Sequence, residues 1–139
     1  MKNLSFIVLL ILLSCAPKDT FQSQFPVPIL EYFYEVIGNQ THFIIEFKEV
    51  VPVEIRLQKL YFRNNESQIE MTSNRKAIVV LRKPDIILDK NPEKEYGNQP
   101  PNLKQPRFQL KVSEAIVEYK ENGKIKHFKL TNVNEKSNK

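Results

Sequence analysis

Residues Phe108–Val133 read "FQLKVSEAIVEYKENGKIKHFKLTNV", and the Asn122-Gly123 pair inside them decides the fold. Asn-Gly between two alternating runs is the strongest short hairpin signal, because a two-residue type I′ turn needs positive φ at both central positions. Such a turn fixes the register. Glu121 faces Lys124, Tyr119 faces Lys126, Val117 faces Phe128 and Ala115 faces Leu130. One face then carries Ala115, Val117, Tyr119, Phe128 and Leu130, and the other carries Glu118, Lys120, Ile125 and His127. A one-residue slip would turn every apolar side chain to the wrong side. His127 is expected to pair with Glu118 across this hairpin, on a partly solvated face.

Strand patterns continue upstream. "LEYFYEVI" (Leu30–Ile37) has a short helical alternative, since Ile29, Phe33, Val36 and Ile37 share a helical face. Its aromatic content and the Gly38-Asn39 turn pair favour a strand. In "THFIIEFK", Phe43, Ile45 and Phe47 alternate with Ile44, Glu46 and Lys48. In "VPVEIRLQKLYFRN", Val53, Ile55 and Leu57 share one phase while Leu60 and Phe62 share the other. The slip near Gln58-Lys59 predicts a bulge, or a strand bending between sheets. "SQIEMT" adds Ile69 and Met71, and "KAIVVLRKPDIIL" adds a buried run closed by Pro84.

Asp89–Pro106, "DKNPEKEYGNQPPNLKQP", is a long irregular connection with four prolines. Connections of that length inside compact domains are most often functional or disordered. Within it, Tyr96 offers a large amphipathic ring, Gly97 permits positive φ, and Pro100-Pro101 stiffens the neighbouring chain. Tyr96, Gly97, Asn98, Pro100 and Pro101 are therefore the candidate partner-binding residues, with Tyr61 and Arg63 as further candidates. The structural alternative is that Tyr96 folds back to cap the core. Short strands with turn signals every eight to twelve residues predict an all-β chain. The expected architecture over residues 29–133 is an antiparallel, immunoglobulin-like β-sandwich, with a small β-barrel as alternative.

The chain opens "MKNLSFIVLLILLSCAPKDT", with its one cysteine at position 15. Lys2, an apolar run from Phe6 to Leu13, and Ser14 before Cys15 have the order of a secretory signal over residues 1–14. The run is too short for a membrane span, which needs about 20 apolar residues. "LLSC" (Leu12–Cys15) resembles the lipobox of bacterial lipoproteins. That resemblance implies cleavage before Cys15, a diacylglycerol on its thiol and an acyl chain, such as palmitate, on its amine. Two or three acyl chains anchor stably where one does not. Ala16 rather than Asp after the cysteine implies, by the same resemblance, no retention at an inner membrane. Lys18-Asp19 resembles a charged surface-export tag, with Thr20 where a second acid would stand. Residues 15–28 are expected to be a lipidated tether, and residues 134–139 a polar tail.

The formal net charge is +5, and lysines gather late, at Lys120, Lys124, Lys126, Lys129, Lys136 and Lys139. This is mildly basic, without the concentrated stripe of a nucleic-acid binder. Envelope proteins, anionic lipids or acidic glycans are the expected partners, alongside the membrane itself. His42 and His127 have no local partner at ligand spacing, so neither a metal nor another cofactor is expected. No triad, glycine-rich phosphate loop or carboxylate cleft is legible. The pairs Glu31/Glu35 and Glu93/Glu95 lie in no recognisable cleft, and the sequons at Asn39 and Asn65 read as turn residues.

"LEYFYEVI", "KLYFRN" (Lys59–Asn64), "EYGNQPP" (Glu95–Pro101) and "AIVEYKENGKIKHFKL" (Ala115–Leu130) together resemble a family of small envelope lipoproteins of flavobacterial type. There an aromatic strand precedes a glycine-rich turn, a "YFR" strand comes next, and a "YGN-PP" loop leads into a final hairpin. This chain departs at Gly38-Asn39, where the turn is shortened. The resemblance implies fold and location and brings no activity. The expectation is a lipid-anchored, non-catalytic binding or accessory protein of the cell envelope, placed at the outer membrane. Alternatives are a small enzyme acting on envelope glycans and a purely structural lipoprotein.

Overall fold

The computed structural model describes residues 19–82 and 105–137. Their strands are β1 (Phe21–Gln22), β2 (Ile29–Ile37), β3 (Gln40–Phe47), β4 (Ile55–Phe62), β5 (Asn65–Gln68), β6 (Glu70–Ser73), β7 (Lys76–Arg82), β8 (Ala115–Glu121), β9 (Lys124–Leu130) and β10 (Asn134–Glu135). Two five-stranded sheets pack face to face, ordered β1-β9-β8-β4-β5 and β10-β2-β3-β7-β6. Without β1 and β10, the orders are those of the G-F-C-C′ and A-B-E-D sheets of an immunoglobulin-type sandwich. The expected β-sandwich is the fold observed.

The β8–β9 hairpin has the register its turn dictates, from Ala115↔Leu130 to Glu121↔Lys124. Asn122 and Gly123 have φ of 49° and 80°. Positive φ also turns the β4–β5 hairpin, at Arg63 (49°) and Asn64 (62°). The slip read at Gln58-Lys59 is a bulge between Leu57 and Lys59 in the β4–β8 ladder. The Gln58 carbonyl accepts the Ile69 N–H at 3.0 Å, where the chain leaves β5 for β6 in the opposite sheet. Bulge and sheet change are thereby joined by one hydrogen bond.

The core fills from alternating positions: Phe43, Ile45 and Phe47 of β3, Leu60 and Phe62 of β4, Val79 and Leu81 of β7, Val117 and Tyr119 of β8. With a single cysteine in the chain, aromatic contacts join the sheets. Phe62 meets Phe43 at 5.2 Å and Tyr34 at 5.3 Å between ring centroids. Such pairs each contribute about 0.5–1.5 kcal/mol beyond burial.

Four expectations are corrected. The sheets are mixed rather than purely antiparallel, because β1 runs parallel to β9 and β10 parallel to β2. The tether expected through residue 28 is already part of the domain from Asp19 onward. Phe21–Gln22 pairs with His127–Phe128, and Val27 is buried in the core. The tail begins as a strand, Asn134–Glu135 on Phe33–Tyr34. Val53 is not a strand residue but an exposed loop residue.

The antiparallel pairings put the connections at two ends. The β2–β3 and β4–β5 turns, the exit from β7 and the entry to β8 share one end. The β3–β4 loop and the β6–β7 and β8–β9 turns share the other.

Candidate functional site

The outward-facing side of the β4–β8–β9 sheet carries a polar cluster that is covered rather than solvated. Tyr61, Glu118 and His127 point there from β4, β8 and β9, and all three are buried. What covers them comes from outside the sheet. Phe108 packs edge-on against Tyr61 at 4.8 Å and His127 at 5.4 Å. Phe21 of β1 meets Phe108 at 5.8 Å and His127 at 5.9 Å. The partly solvated Glu118–His127 pair expected from the hairpin is therefore a buried one, because residues 19–21 and 107–108 lie over it.

Glu118 is the hub. Its Oε2 accepts from the Tyr61 hydroxyl at 3.0 Å and from Arg107 at 3.0 Å, and His127 Nε2 lies 3.0 Å away. Arg107 also donates to the Tyr61 hydroxyl at 3.1 Å and to Asp19 Oδ1 at 2.8 Å. Burial pushes the Glu118 carboxyl up, but the hydrogen bonds of His127 and Tyr61, with the electrostatic pull of His127 and Arg107, hold it below the ordinary value. Burial pushes the Tyr61 phenol up; the Arg107 bond opposes the rise and Glu118 adds to it, so Tyr61 stays a neutral donor. His127 Nδ1 is buried without a hydrogen-bond partner and lies 4.0 Å from Asp19 Oδ1.

A carboxylate oxygen serving this many donors has little lone-pair capacity left for taking a substrate proton. What the arrangement does is mechanical. Arg107 bolts the stretch that precedes β8 to β4 and β8, and through Asp19 it bolts the N-terminal segment to the same place. The adjoining cavity, lined by Tyr61, Asn64, Arg107 and Phe108 among others, is about 40 Å³. That volume suits water rather than a small-molecule ligand, whose sites run to about 300–1,000 Å³. A wider groove of about 670 Å³ runs between β5 and β7, lined by His42, Glu66, Glu70, Val80 and Arg82 among others. Among the described residues, no group of three or more His, Cys, Asp or Glu side chains could hold a metal ion.

Of the residues singled out in the sequence, Tyr61 is corrected: its ring and hydroxyl are consumed inside the cluster rather than offered to a partner. Arg63 is exposed at the β4–β5 turn, but it too is engaged. Its guanidinium donates to the Tyr34 hydroxyl at 2.7 Å and to the Val112 carbonyl at 3.3 Å, and it stacks 4.5 Å from the Tyr34 ring. Cys15, Tyr96, Gly97, Asn98, Pro100 and Pro101 lie outside the described residues. Asp19, Arg107 and Phe108 were not legible as site residues. No spacing links Asp19 to Arg107, 88 residues further along.

No family model matches the chain, and neither a curated protein nor a solved structure matches it.

Proposed function

We propose that this chain is a lipid-anchored, non-catalytic binding or accessory domain of a bacterial cell envelope, held at the outer membrane by acyl chains on Cys15. The observation that carries the reading is the brace of Arg107, Glu118, Tyr61 and Asp19. It fixes the point where the Asp89–Pro106 connection rejoins the sandwich, and spends the buried polar groups on doing so. A rigid root under a long connection is what a recognition loop needs, since preorganisation lowers the ordering cost of binding. The lipobox resemblance of Leu12–Cys15 supports the anchor, and Asp19, held by Arg107, stands only four positions after Cys15 in the sequence. Partners of the expected kind are an envelope protein or an anionic glycan or lipid.

The test has two parts. Mass analysis of the native product is expected to find residue 15 acylated and residues 1–14 gone; a bare thiol with those residues attached overturns the anchor. Tyr96→Ala is expected to weaken capture of a partner from envelope extract while leaving the melting temperature almost unchanged. A large fall in melting temperature means instead that Tyr96 packs on the core.

A further inference from the structure

We infer that one end of the sandwich, formed by the β3–β4 loop and the β8–β9 turn, is a membrane-contacting face that lies on anionic lipid headgroups. The inference rests on the membrane attachment proposed above and deepens it by assigning an orientation.

Three observations converge on this end. The first is the chain's exit. β1 runs parallel to β9, so reading back from Phe21 to Asp19 leads toward the start of β9 at Lys124 and the β8–β9 turn. The His127 N–H donates to the Thr20 carbonyl at 3.3 Å and Arg107 grips Asp19, so the direction is fixed. Asp19 lies four Cα–Cα steps from Cys15, with Ala16, Pro17 and Lys18 between them. Fully extended, these steps reach about 14 Å at most. A domain on so short a leash must keep this end near the bilayer.

The second is an apolar loop tip that the fold holds outward. Val50-Val51-Pro52-Val53 joins β3 to β4, and Val53 is 84% exposed and Val50 54%. The loop is braced, not loose. The Val51 N–H donates to the Asn74 carbonyl at 2.9 Å, and Arg75 donates to the carbonyls of Phe47 and Lys48 at 3.3 and 2.5 Å. Valines held in water by a rigid loop are stabilised by transfer into an apolar phase wherever one is offered.

The third is charge. Arg56, Lys120 and Ile125 form one exposed row across β4, β8 and β9 on the side where Asp19 lies, with exposed Lys124 at the turn. Lys48 and Arg75 flank the valine loop, whose immediate neighbours are the exposed Glu49 and Glu54. With Arg56, Lys120 and Lys124, the basic side chains of this end outnumber those two acids. Basic side chains beside an inserted apolar tip suit anionic headgroups, and they supplement acyl chains as a second anchoring signal. The opposite end also exposes apolar residues, Val36, Ile37 and Val112. What separates the ends is where the chain leaves.

Full-length protein carrying Val53→Cys, or Val112→Cys at the far end, would be labelled with an environment-sensitive thiol dye. It would be reconstituted into phosphatidylethanolamine–phosphatidylglycerol vesicles doped with nitroxide lipid. A blue shift and quenching at position 53, with neither at position 112, is the expected result. Equal signals at both positions, a signal at 112 alone, or no signal at 53 overturns the inference. The parent chain, with Cys15 as its one cysteine, takes the dye only if that sulfur is free, so failure of lipidation is read separately. If the chain is recovered unlipidated and free of membrane, the same labelled variants carrying in addition Cys15→Ser are added to the same vesicles. Absence of a blue shift at position 53 then overturns the contact face as well.

Discussion

Glu118 is where a sequence-level pairing becomes a structural hub. The hairpin register sets His127 beside it, and buried Tyr61 and the half-exposed Arg107 extend that pair into a network, so removing the buried carboxylate costs more than losing a surface pair. Glu118→Gln retains the shape and removes the charge that faces Arg107. It is expected to lower stability by about 2–4 kcal/mol at pH 7, measured as the urea midpoint. The pH dependence comes from its depressed carboxyl. A group whose folded-state pKa lies below its unfolded value contributes stability above the unfolded pKa, about 4.3 for Glu, and loses it as pH falls through the folded value. The parent should therefore lose more stability between about pH 5 and pH 3 than Glu118→Gln does. Parallel slopes in thermal melts over that range would show that another carboxylate governs the acid limb.

Among elements, the turns carry the clearest signals and one local conflict. Gly123 sits at φ 80° with nothing within 4 Å of where a Cβ would lie. Gly123→Ala therefore meets no clash, and the expected loss of about 1 kcal/mol is purely conformational. A loss several times larger would mean that the turn also packs against something. The β4–β5 turn is different, because Arg63 is an unusual residue at positive φ. Its hydrogen bonds to Tyr34 and Val112 offset that cost while joining β4, β2 and the chain before β8. Arg63→Ala keeps the backbone strain and removes the ties, so a fall of about 1–2 kcal/mol in unfolding free energy is expected. An unchanged urea midpoint would mean the ties contribute nothing.

For the whole molecule, the two short parallel strands cover the middle of the edges that β2 and β9 would otherwise leave open. An uncovered edge is a template for pairing with other chains. Removing residues 1–22 takes away β1, Asp19 and the Phe21 ring over His127. The expected outcome is a lower melting temperature together with concentration-dependent self-association in light scattering. A truncated chain that melts like the parent and stays monomeric would make β1 an ornament of the edge rather than its guard.

Strands β2–β4 and β7–β9, the β8–β9 register, the phase slip near Gln58 and a preference for a sandwich over a barrel were legible in the chain alone. Each is set by contacts among near neighbours: a turn residue that permits positive φ, a period of two, a phase slip. The sequence also displayed the Glu118–His127 pair, since that register is local. Burial of the pair, the use of Tyr61 within it, and the hold of Asp19 and Arg107 on two distant stretches of chain emerge only in the folded arrangement. Those outcomes depend on which segment covers the outside of β4, β8 and β9, and a covering segment leaves no periodic mark on the residues it covers. Strand alternation distinguishes one face from the other; whether the outer face meets water or chain is settled in three dimensions.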